Sequence, residues 1–167
     1  MSSAFVHAGS DTLKQFGDVA QFGVPLAAGS IAILKGDEEG LFQLVEGAMY
    51  TSLATHAMKA SVSAQRPDGS SYDSFPSGHT SAATQGAAFL QFRYGWEYGL
   101  PAYAIASVVG YSRVDADRHY WRDVGAGAIL ATGIQYAVTN MGYSMTNVVI
   151  MPYFKGKETG VHARIEF

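Results

Sequence analysis

Charged side chains are concentrated in one short segment of this chain, Ser112–Asp123, with the sequence SRVDADRHYWRD. The whole chain is only 15% charged, and the residues on either side of this segment are almost all apolar. Within it, His119 and Asp123 stand four residues apart, which on a helix places both side chains on one face. An aspartate bonded to one ring nitrogen leaves the other nitrogen with a free lone pair. The spacing predicts an oriented histidine that acts as nucleophile or base, and a surface i,i+4 pair is the alternative.

A second histidine belongs to the sequence PSGH, Pro76–His79, which has the composition of a helix start. Free backbone amides at a helix N-terminus favour an anion, and Gly78 lets an anion approach the backbone closely. His79 would stand beside that anion, where it can donate a proton. An ordinary helix start with Ser77 as the N-cap is the alternative.

Three cationic residues, Lys59, Arg66 and Arg113, come from three different segments of the chain. An arginine fork matches phosphate oxygens in paired hydrogen bonds, and a lysine supplies a point charge. Each cation alone is typical of a solvated surface. Together with an anion-binding helix start and an oriented histidine, they predict in-line transfer of a phosphoryl group without a metal.

The pattern Lys-x6-Arg-Pro, Pro-Ser-Gly-His and Ser-Arg-x5-His-x3-Asp resembles the three-part motif of the type 2 phosphatidate phosphatase superfamily. That superfamily includes bacterial class A acid phosphatases and vanadium haloperoxidases. The resemblance implies that His119 attacks phosphorus and becomes phosphohistidine, that Asp123 orients it, and that His79 protonates the leaving oxygen. It also implies a set of residues that hold the phosphoryl oxygens: Lys59, Arg66, Ser77, Gly78 and Arg113.

The resemblance implies a phosphoric monoester hydrolase of the acid phosphatase or phosphatidate phosphatase type. Its substrate would be a lipid phosphate or a small phosphomonoester, and it would need no metal and no cofactor. Vanadate is expected as an inhibitor. Two alternatives stay open: a haloperoxidase that holds vanadate as its cofactor in the same pocket, and a protein that binds phosphate or lipid without catalysis. The sequence makes no prediction of oligomeric state.

The length of 167 residues predicts one phosphatase domain over residues 1–167. A hydrophobic fraction of 48% and an aromatic fraction of 13% are sufficient for a packed core. The net charge of −3 argues against a nucleic-acid partner, which normally requires a basic surface. The chain has no cysteine, and this excludes disulfides and thiolate metal sites.

Helical spacing of apolar residues predicts an all-α bundle with its helical core at about residues 10–142. The first helical stretch is expected to break near Pro25, and the last is expected to include both His119 and Asp123. Residues from about 145 to 167 are β-branched and aromatic around the turn sequence KGKETG, which predicts a short C-terminal β-hairpin.

The longest apolar runs are short or interrupted by Gly, Gln or Pro: Val19–Leu34, Tyr98–Tyr111 and Val124–Thr139. A spanning helix needs about 20 predominantly apolar residues. The sequence therefore predicts a soluble bundle with no transmembrane segment, and contact with a membrane surface is left open. No export signal is visible at the N-terminus. The resemblance to exported soluble members implies the periplasm of a Gram-negative bacterium, with the cytoplasm as the alternative.

The segment Asp68–Phe75, DGSSYDSF, is the one clear internal loop. Its Gly and Ser content predicts a mobile rim over the pocket, with Tyr72 and Phe75 as contacts for the substrate.

Overall fold

The computed structural model describes residues 2–144, 148–155 and 158–165, with the side chains of residues 11–144. The helices are α1 (Ser2–Leu34), α2 (Glu38–Ser61), α3 (Gly78–Tyr94), α4 (Trp96–Asp115) and α5 (Trp121–Asn140). The predicted helical body is therefore confirmed. Two strands follow, β1 (Val148–Lys155) and β2 (Glu158–Ile165), and they pair antiparallel. They occupy the residues of the predicted hairpin, whose side chains and connecting residues 156–157 lie outside the described part of the chain.

Helix α3 is the central element, and it packs against each of the other four helices. Its middle is built from small side chains that are completely buried, and Phe89 adds a large apolar group to the same core. Because small residues allow helix axes to approach closely, α3 can be surrounded by four neighbours. At Gly127 of α5, for instance, an added Cβ would lie 2.7 Å from the carbonyl oxygen of Ser77.

Helix α1 runs through Pro25 without a break, so the predicted break is wrong. A proline inside a helix removes one backbone hydrogen bond and crowds the preceding turn. Here Pro25 packs against Gly86 of α3, where an added Cβ would lie 2.8 Å from the proline Cα atom. This close packing compensates for the lost hydrogen bond.

The continuous helix changes the expectation about membranes. Residues Asp11–Leu34 are long enough and apolar enough to cross a bilayer, and only 28% of their most apolar stretch is buried inside the protein. The prediction that no segment is long enough to span is wrong for α1. The apolar run itself begins only at Val19, whereas the helix begins well before that residue.

Large apolar side chains also cover much of the outer surface of the bundle, which does not support the predicted soluble protein. Exposed apolar surface on this scale is typical of contact with a membrane or another protein. Examples on α1, α2, α4 and α5 are Val19, Leu26, Leu34, Phe42, Leu53, Leu100, Trp121 and Ile129.

The ends of the helices meet in two groups. The C-termini of α2 and α4 lie with the N-termini of α3 and α5, and we call this the site end. At the opposite end, Arg93 of α3 bonds the carboxylate of Asp37 through Nε at 2.8 Å and Nη2 at 2.6 Å. The guanidinium holds the pKa of Asp37 well below its usual range. This pair ties the connection between α1 and α2 to the end of α3.

Candidate active site

A cavity of about 320 Å³ opens at the site end of the bundle. Every side chain that lines it is charged or can be: Lys14, Asp18, Arg66, His79, Arg113, Arg118 and His119. A second cavity of about 430 Å³ lies between α1, α2 and α3, and it reaches Lys59 and Gly78. His79 lines both cavities. The structure thus brings most of the residues predicted from sequence to two adjoining spaces.

His119 lies in the connection between α4 and α5, because α5 begins only at Trp121. The prediction that it shares a helix face with Asp123 is therefore wrong. Its ring is 4% exposed, and Nδ1 lies 2.7 Å from the carbonyl oxygen of Ser74. A carbonyl oxygen only accepts, so Nδ1 carries the hydrogen in the neutral ring. The lone pair is consequently on Nε2.

Asp123 does not orient this ring directly. Its Oδ2 lies 3.8 Å from Nδ1 of His119, which is too long for a hydrogen bond. The same oxygen accepts bonds from the hydroxyl of Ser74 at 2.5 Å and from the amide of Tyr120 at 2.9 Å. Asp123 is completely buried, and it closes the first turn of α5. It therefore positions Ser74, whose carbonyl in turn positions His119.

Burial lowers the pKa of His119 to about 4, and the positive charge of Lys59 contributes to the same shift. A histidine with this pKa is neutral at physiological pH. The free lone pair on Nε2 is therefore available without prior removal of a proton.

Arg113 is 2% exposed and is held by three contacts. Nη1 donates to Oδ1 of Asp18 at 2.6 Å, Nη2 donates to the carbonyl of Lys14 at 2.6 Å, and Nε donates to Oγ of Ser112 at 3.0 Å. Gly17 makes this approach of α1 to α4 possible, because an added Cβ there would collide with Ser112 and Arg113. The guanidinium is thus fixed at the wall of the cavity before any ligand arrives.

Asp18 is a member of the site that sequence reasoning missed. Its Oδ1 lies 3.1 Å from Nε2 of His79 and accepts from Arg113, so one carboxylate joins the predicted general acid to a predicted phosphate-binding residue. The signal that could have found it is a single carboxylate in the apolar sequence FGDVAQFG. Ser74 was also missed, and its position two residues before Pro76 carries no such signal.

Arg66 and Lys59 both meet Asp73 on the loop between α2 and α3. Arg66 donates from Nη2 to Oδ2 at 3.2 Å, and its Nε lies 3.1 Å from Oδ1 as an ion-pair contact. Lys59 donates from Nζ to the backbone carbonyl of Asp73. The Ser71 hydroxyl, together with these two cations, keeps the pKa of the Asp73 carboxyl below its usual range. These contacts hold both cations near the N-terminus of α3.

The N-terminus of α3 has the predicted cap. Ser77 is completely buried, and its Oγ accepts from the amide of Thr80 at 3.4 Å and from the hydroxyl of Thr80 at 3.0 Å. Since this side chain faces the cap, a direct contact from Ser77 to phosphate stays a prediction. Gly78 begins the helix beside Lys59 and leaves its first amides open to an anion.

The segment expected to be a mobile rim is tied down by backbone hydrogen bonds. The amide of Ala64 donates to the carbonyl of Tyr72 at 3.0 Å, and the amide of Asp68 donates to the carbonyl of Asp117 at 3.1 Å. Arg118 adds an ion pair to Asp68 at 3.2 Å and also lines the cavity. Tyr72 is 62% exposed at this edge. The segment is an anchored wall, which differs from the mobile rim that its composition suggested.

Comparison with known families matches residues 40–146 to the PAP2 superfamily, which is more than half of the chain. The chain belongs to the PAP2 superfamily. This confirms the resemblance to the type 2 phosphatidate phosphatases. The matched range covers nearly all of α2 and the whole of α3, α4 and α5, whereas Lys14 and Asp18 lie outside it.

Among relatives in the PAP2 superfamily, the Lipid A 4'-phosphatase of Helicobacter pylori strain J99 is 31% identical over 84% of this chain and 76% of its own length. The crystal structure of Aquifex aeolicus LpxE has the same fold, with a TM-score of 0.66 at 20% identity over 77% of this chain and 84% of that one. The transmembrane PAP2-type phosphatidylglycerolphosphate phosphatase from Bacillus subtilis gives a TM-score of 0.63 at 22% identity over 79% and 75%.

The lowered pKa of His119 predicts an imidazole that stays neutral well below the usual histidine midpoint. The measurement is an NMR titration of ring-labelled protein, in which the His119→Asn variant assigns the signal among the five histidines of the chain. We expect a midpoint near 4. Lys59→Met should raise it, because one positive charge that opposes protonation is removed. A midpoint near 6.5 in the unsubstituted protein would contradict the described environment.

Proposed function

We propose that this PAP2 protein is a membrane phosphatase that removes a phosphate monoester from a lipid through a phosphohistidine intermediate. The observation that carries the proposal is the His119 ring, neutral and held through Nδ1 by the Ser74 carbonyl, in a cavity that Arg66 and Arg113 line. Its relatives support a lipid phosphate as the substrate, since one is named a Lipid A 4'-phosphatase.

In the first step, Nε2 of His119 attacks phosphorus as the ester P–O bond breaks. Arg66, Arg113 and the amides at the start of α3 stabilise the charge on the phosphoryl oxygens. His79 gives its proton to the departing lipid oxygen, which leaves as an alcohol. Because Arg113 is already fixed, little reorganisation is needed when the phosphate arrives.

In the second step, a water molecule attacks the phosphorus of phosphohistidine and the P–N bond breaks. His79, now neutral, takes the proton from that water and so returns to its starting state. His119 is released with its lone pair on Nε2, and inorganic phosphate is the product. The two histidines thus complete a cycle in which protons balance.

The proposed reaction uses no metal and no cofactor. Among residues 11–144, no group of three or more His, Asp or Glu side chains could hold a metal ion. The cations of the chain itself would supply the charge that a metal supplies in other phosphatases.

The membrane part of the proposal rests on a band without charge. Between the site end and the opposite end, each helix contains a stretch with no Asp, Glu, Lys or Arg, about 18 to 26 Å long at 1.5 Å per residue. The bilayer core is about 30 Å thick. The stretches are residues 19–34, 47–58, 79–92, 98–112 and 124–140.

The exposed apolar side chains of α1, α2, α4 and α5 lie mainly on this band. The catalytic cavity would consequently lie at the level of the lipid headgroups, where a phosphate can reach it without leaving the membrane. The lipid A phosphatase relative supports a place in the envelope of a Gram-negative bacterium. We propose that the site end faces the periplasm.

The test is phosphate release from the purified protein in detergent, with EDTA present. We expect turnover of a lipid phosphomonoester and competitive inhibition by vanadate, which mimics the five-coordinate geometry of phosphoryl transfer. Separate arms would contain lipid A phosphorylated at the 1 or the 4' position, phosphatidate and p-nitrophenyl phosphate.

A parallel assay supplies vanadate, peroxide and bromide with a phenol indicator. Strong halogenation without ester hydrolysis would overturn the phosphatase proposal in favour of a haloperoxidase. Saturable binding of the lipid phosphates with neither activity would favour a binding protein.

A further inference from the structure

Asp18 of α1 lies between two residues of the proposed mechanism, and that mechanism gives it no part. Its Oδ1 accepts from Nη1 of Arg113 at 2.6 Å and lies 3.1 Å from Nε2 of His79. Arg113 has further contacts with the Lys14 carbonyl and with Ser112, so it does not depend on this carboxylate alone. Within residues 11–144, the ring of His79 makes no other hydrogen bond. Of the two residues, His79 is therefore the one whose position depends on Asp18.

The charges around His79 make the carboxylate of Asp18 important. His79 lines both cavities, and among the described residues that line them Asp18 is the single acid. The other titratable side chains that face His79 from these cavities are basic: Lys14 of α1, His56 and Lys59 of α2, Arg66 of the loop that follows, Arg113 of α4, and Arg118 and His119 of the connection before α5. Positive charges oppose protonation of an imidazole, and a carboxylate in contact with it favours protonation. A general acid must carry a proton before it can give one, so His79 needs this carboxylate.

The contact also assigns the hydrogens on the His79 ring. Asp18 is paired with Arg113, and an ionised carboxylate only accepts hydrogen bonds. Nε2 of His79 therefore carries a hydrogen in the neutral ring as well as in the protonated one. This is the reverse of His119, whose hydrogen is on Nδ1.

The other ring nitrogen of His79 is available to the substrate. Nδ1 makes no hydrogen bond within residues 11–144, and it is not among their buried polar atoms that lack a partner, so it is accessible. It is also the ring nitrogen nearer to the backbone. The backbone here is the start of α3, where the first amides are open to phosphate.

We propose that Asp18 is the positioning residue of the general acid: it holds the hydrogen on Nε2 of His79, so that Nδ1 is the nitrogen that exchanges a proton with the substrate. In the first step the Nδ1–H bond breaks, the proton forms the O–H bond of the departing alcohol, and the electron pair stays on Nδ1. In the second step that lone pair takes a proton from the attacking water. The hydrogen bond from Nε2 to Asp18 persists throughout.

The inference rests on the proposed phosphatase function. It extends the active site to α1, which lies outside the residues matched to the PAP2 superfamily.

The first test compares the pH dependence of kcat/KM in unsubstituted protein and in Asp18→Asn, with one lipid phosphomonoester as the substrate. The alkaline limb, where the general acid has lost its proton, should move to lower pH by about one unit or more, because a negative charge in contact with the imidazolium is removed. Above this limb, kcat/KM should be about tenfold lower or less than in unsubstituted protein. The profiles should converge towards low pH. With p-nitrophenyl phosphate, whose leaving group needs no proton, the variant should lose much less.

Asp68→Asn is the matched control. It removes a carboxylate that pairs with Arg118 on the wall of the same cavity, but Asp68 has no contact with His79. We expect its alkaline limb to stay in place. An unmoved limb in Asp18→Asn would overturn the proposal, and so would equal losses on the lipid and aryl phosphates. An equal shift in Asp68→Asn would also overturn it, since the general charge of the cavity would then explain the effect.

A measurement on unsubstituted protein does not depend on how the variants fold. In protein labelled with ¹⁵N in the histidine rings, the His79 signals are those that are absent from His79→Ala. At a pH where the ring is neutral, we expect the hydrogen on Nε2 of His79. A hydrogen on Nδ1 would overturn the proposal.

The same measurement separates this proposal from the phosphatase function. If unsubstituted protein releases phosphate from no ester but His79 carries its hydrogen on Nε2, the phosphatase proposal fails and the role of Asp18 in holding the ring stands. Release of phosphate by protein whose His79 carries the hydrogen on Nδ1 has the opposite meaning.

Discussion

Replacement of His119 by alanine is expected to lower kcat by at least about 10⁴-fold on every substrate, because it removes the atom that attacks phosphorus. The loss should be the same for lipid and aryl phosphates, since both depend on the same nucleophile. Melting temperature should change little, because the variant loses one hydrogen bond to the Ser74 carbonyl and creates a cavity that opens to the existing one. His162→Ala, in β2 and outside the site described here, is the control and should retain activity.

The intermediate provides a second measurement for the same variant. With substrate labelled in the phosphoryl group, unsubstituted protein should retain label after an alkaline quench and lose it in acid, since phosphohistidine is labile in acid. His119→Ala should retain none. Full activity in this variant, or label that survives acid, would contradict the mechanism.

Ser74 links His119 to Asp123 through two contacts. Its backbone carbonyl lies 2.7 Å from Nδ1 of His119, and its hydroxyl donates to Oδ2 of Asp123. The contact between Asp123 and the ring is 3.8 Å, so Asp123 acts through Ser74. This indirect support explains why the histidine and the aspartate need not lie on one helix.

Much of the site could be predicted from sequence because its residues stand at helix ends. Lys59 is in the last turn of α2, Arg113 is in the last turn of α4, and Gly78 begins α3. Each connection reverses the chain direction, so these ends must meet on one side of a bundle. The fold class and the cluster of cations follow from this alternation alone.

The geometry within the cluster could not be predicted in the same way. A spacing of four residues indicates a shared face only when one helix includes both residues. Here the carboxylate of Asp123 accepts a hydrogen bond from the Tyr120 amide and so caps the start of α5, which leaves His119 outside the helix. The contribution of α1 was hidden because Asp18 is far from the motifs in sequence. Its contact with Arg113 joins residues 95 positions apart.

The local hydropathy pattern also does not show that α1 continues through Pro25 as one helix. Pro25 breaks helices when nothing compensates for its missing amide, but Gly86 of the neighbouring helix packs directly on it. Only the tertiary contact reveals that one long helix is present. The length of this helix, and with it the membrane assignment, therefore could not be obtained from the local sequence.

Replacement of His79 by alanine is the second change with a large expected effect, and the effect should depend on the leaving group. A lipid alkoxide is a poor leaving group that needs a proton, and we expect its turnover to fall by about 10²–10⁴-fold. p-Nitrophenol leaves without one, so the first step with p-nitrophenyl phosphate should be nearly unchanged. Equal losses in the rate of the first step on the two substrates would instead make His79 a simple phosphate contact.

The second step gives the sharper distinction, because His79 is also the base that activates water. In His79→Ala, p-nitrophenyl phosphate should phosphorylate His119 quickly, and the phosphohistidine should then hydrolyse slowly. The expected result is a burst of about one p-nitrophenolate per protein followed by a slow steady rate, with label retained after an alkaline quench. Asp18→Asn is the companion variant, since it removes the carboxylate 3.1 Å from Nε2 of His79 but leaves the ring in place. It should show no burst, because the base remains. A burst in Asp18→Asn together with none in His79→Ala would contradict the assignment of His79 as the shared acid and base.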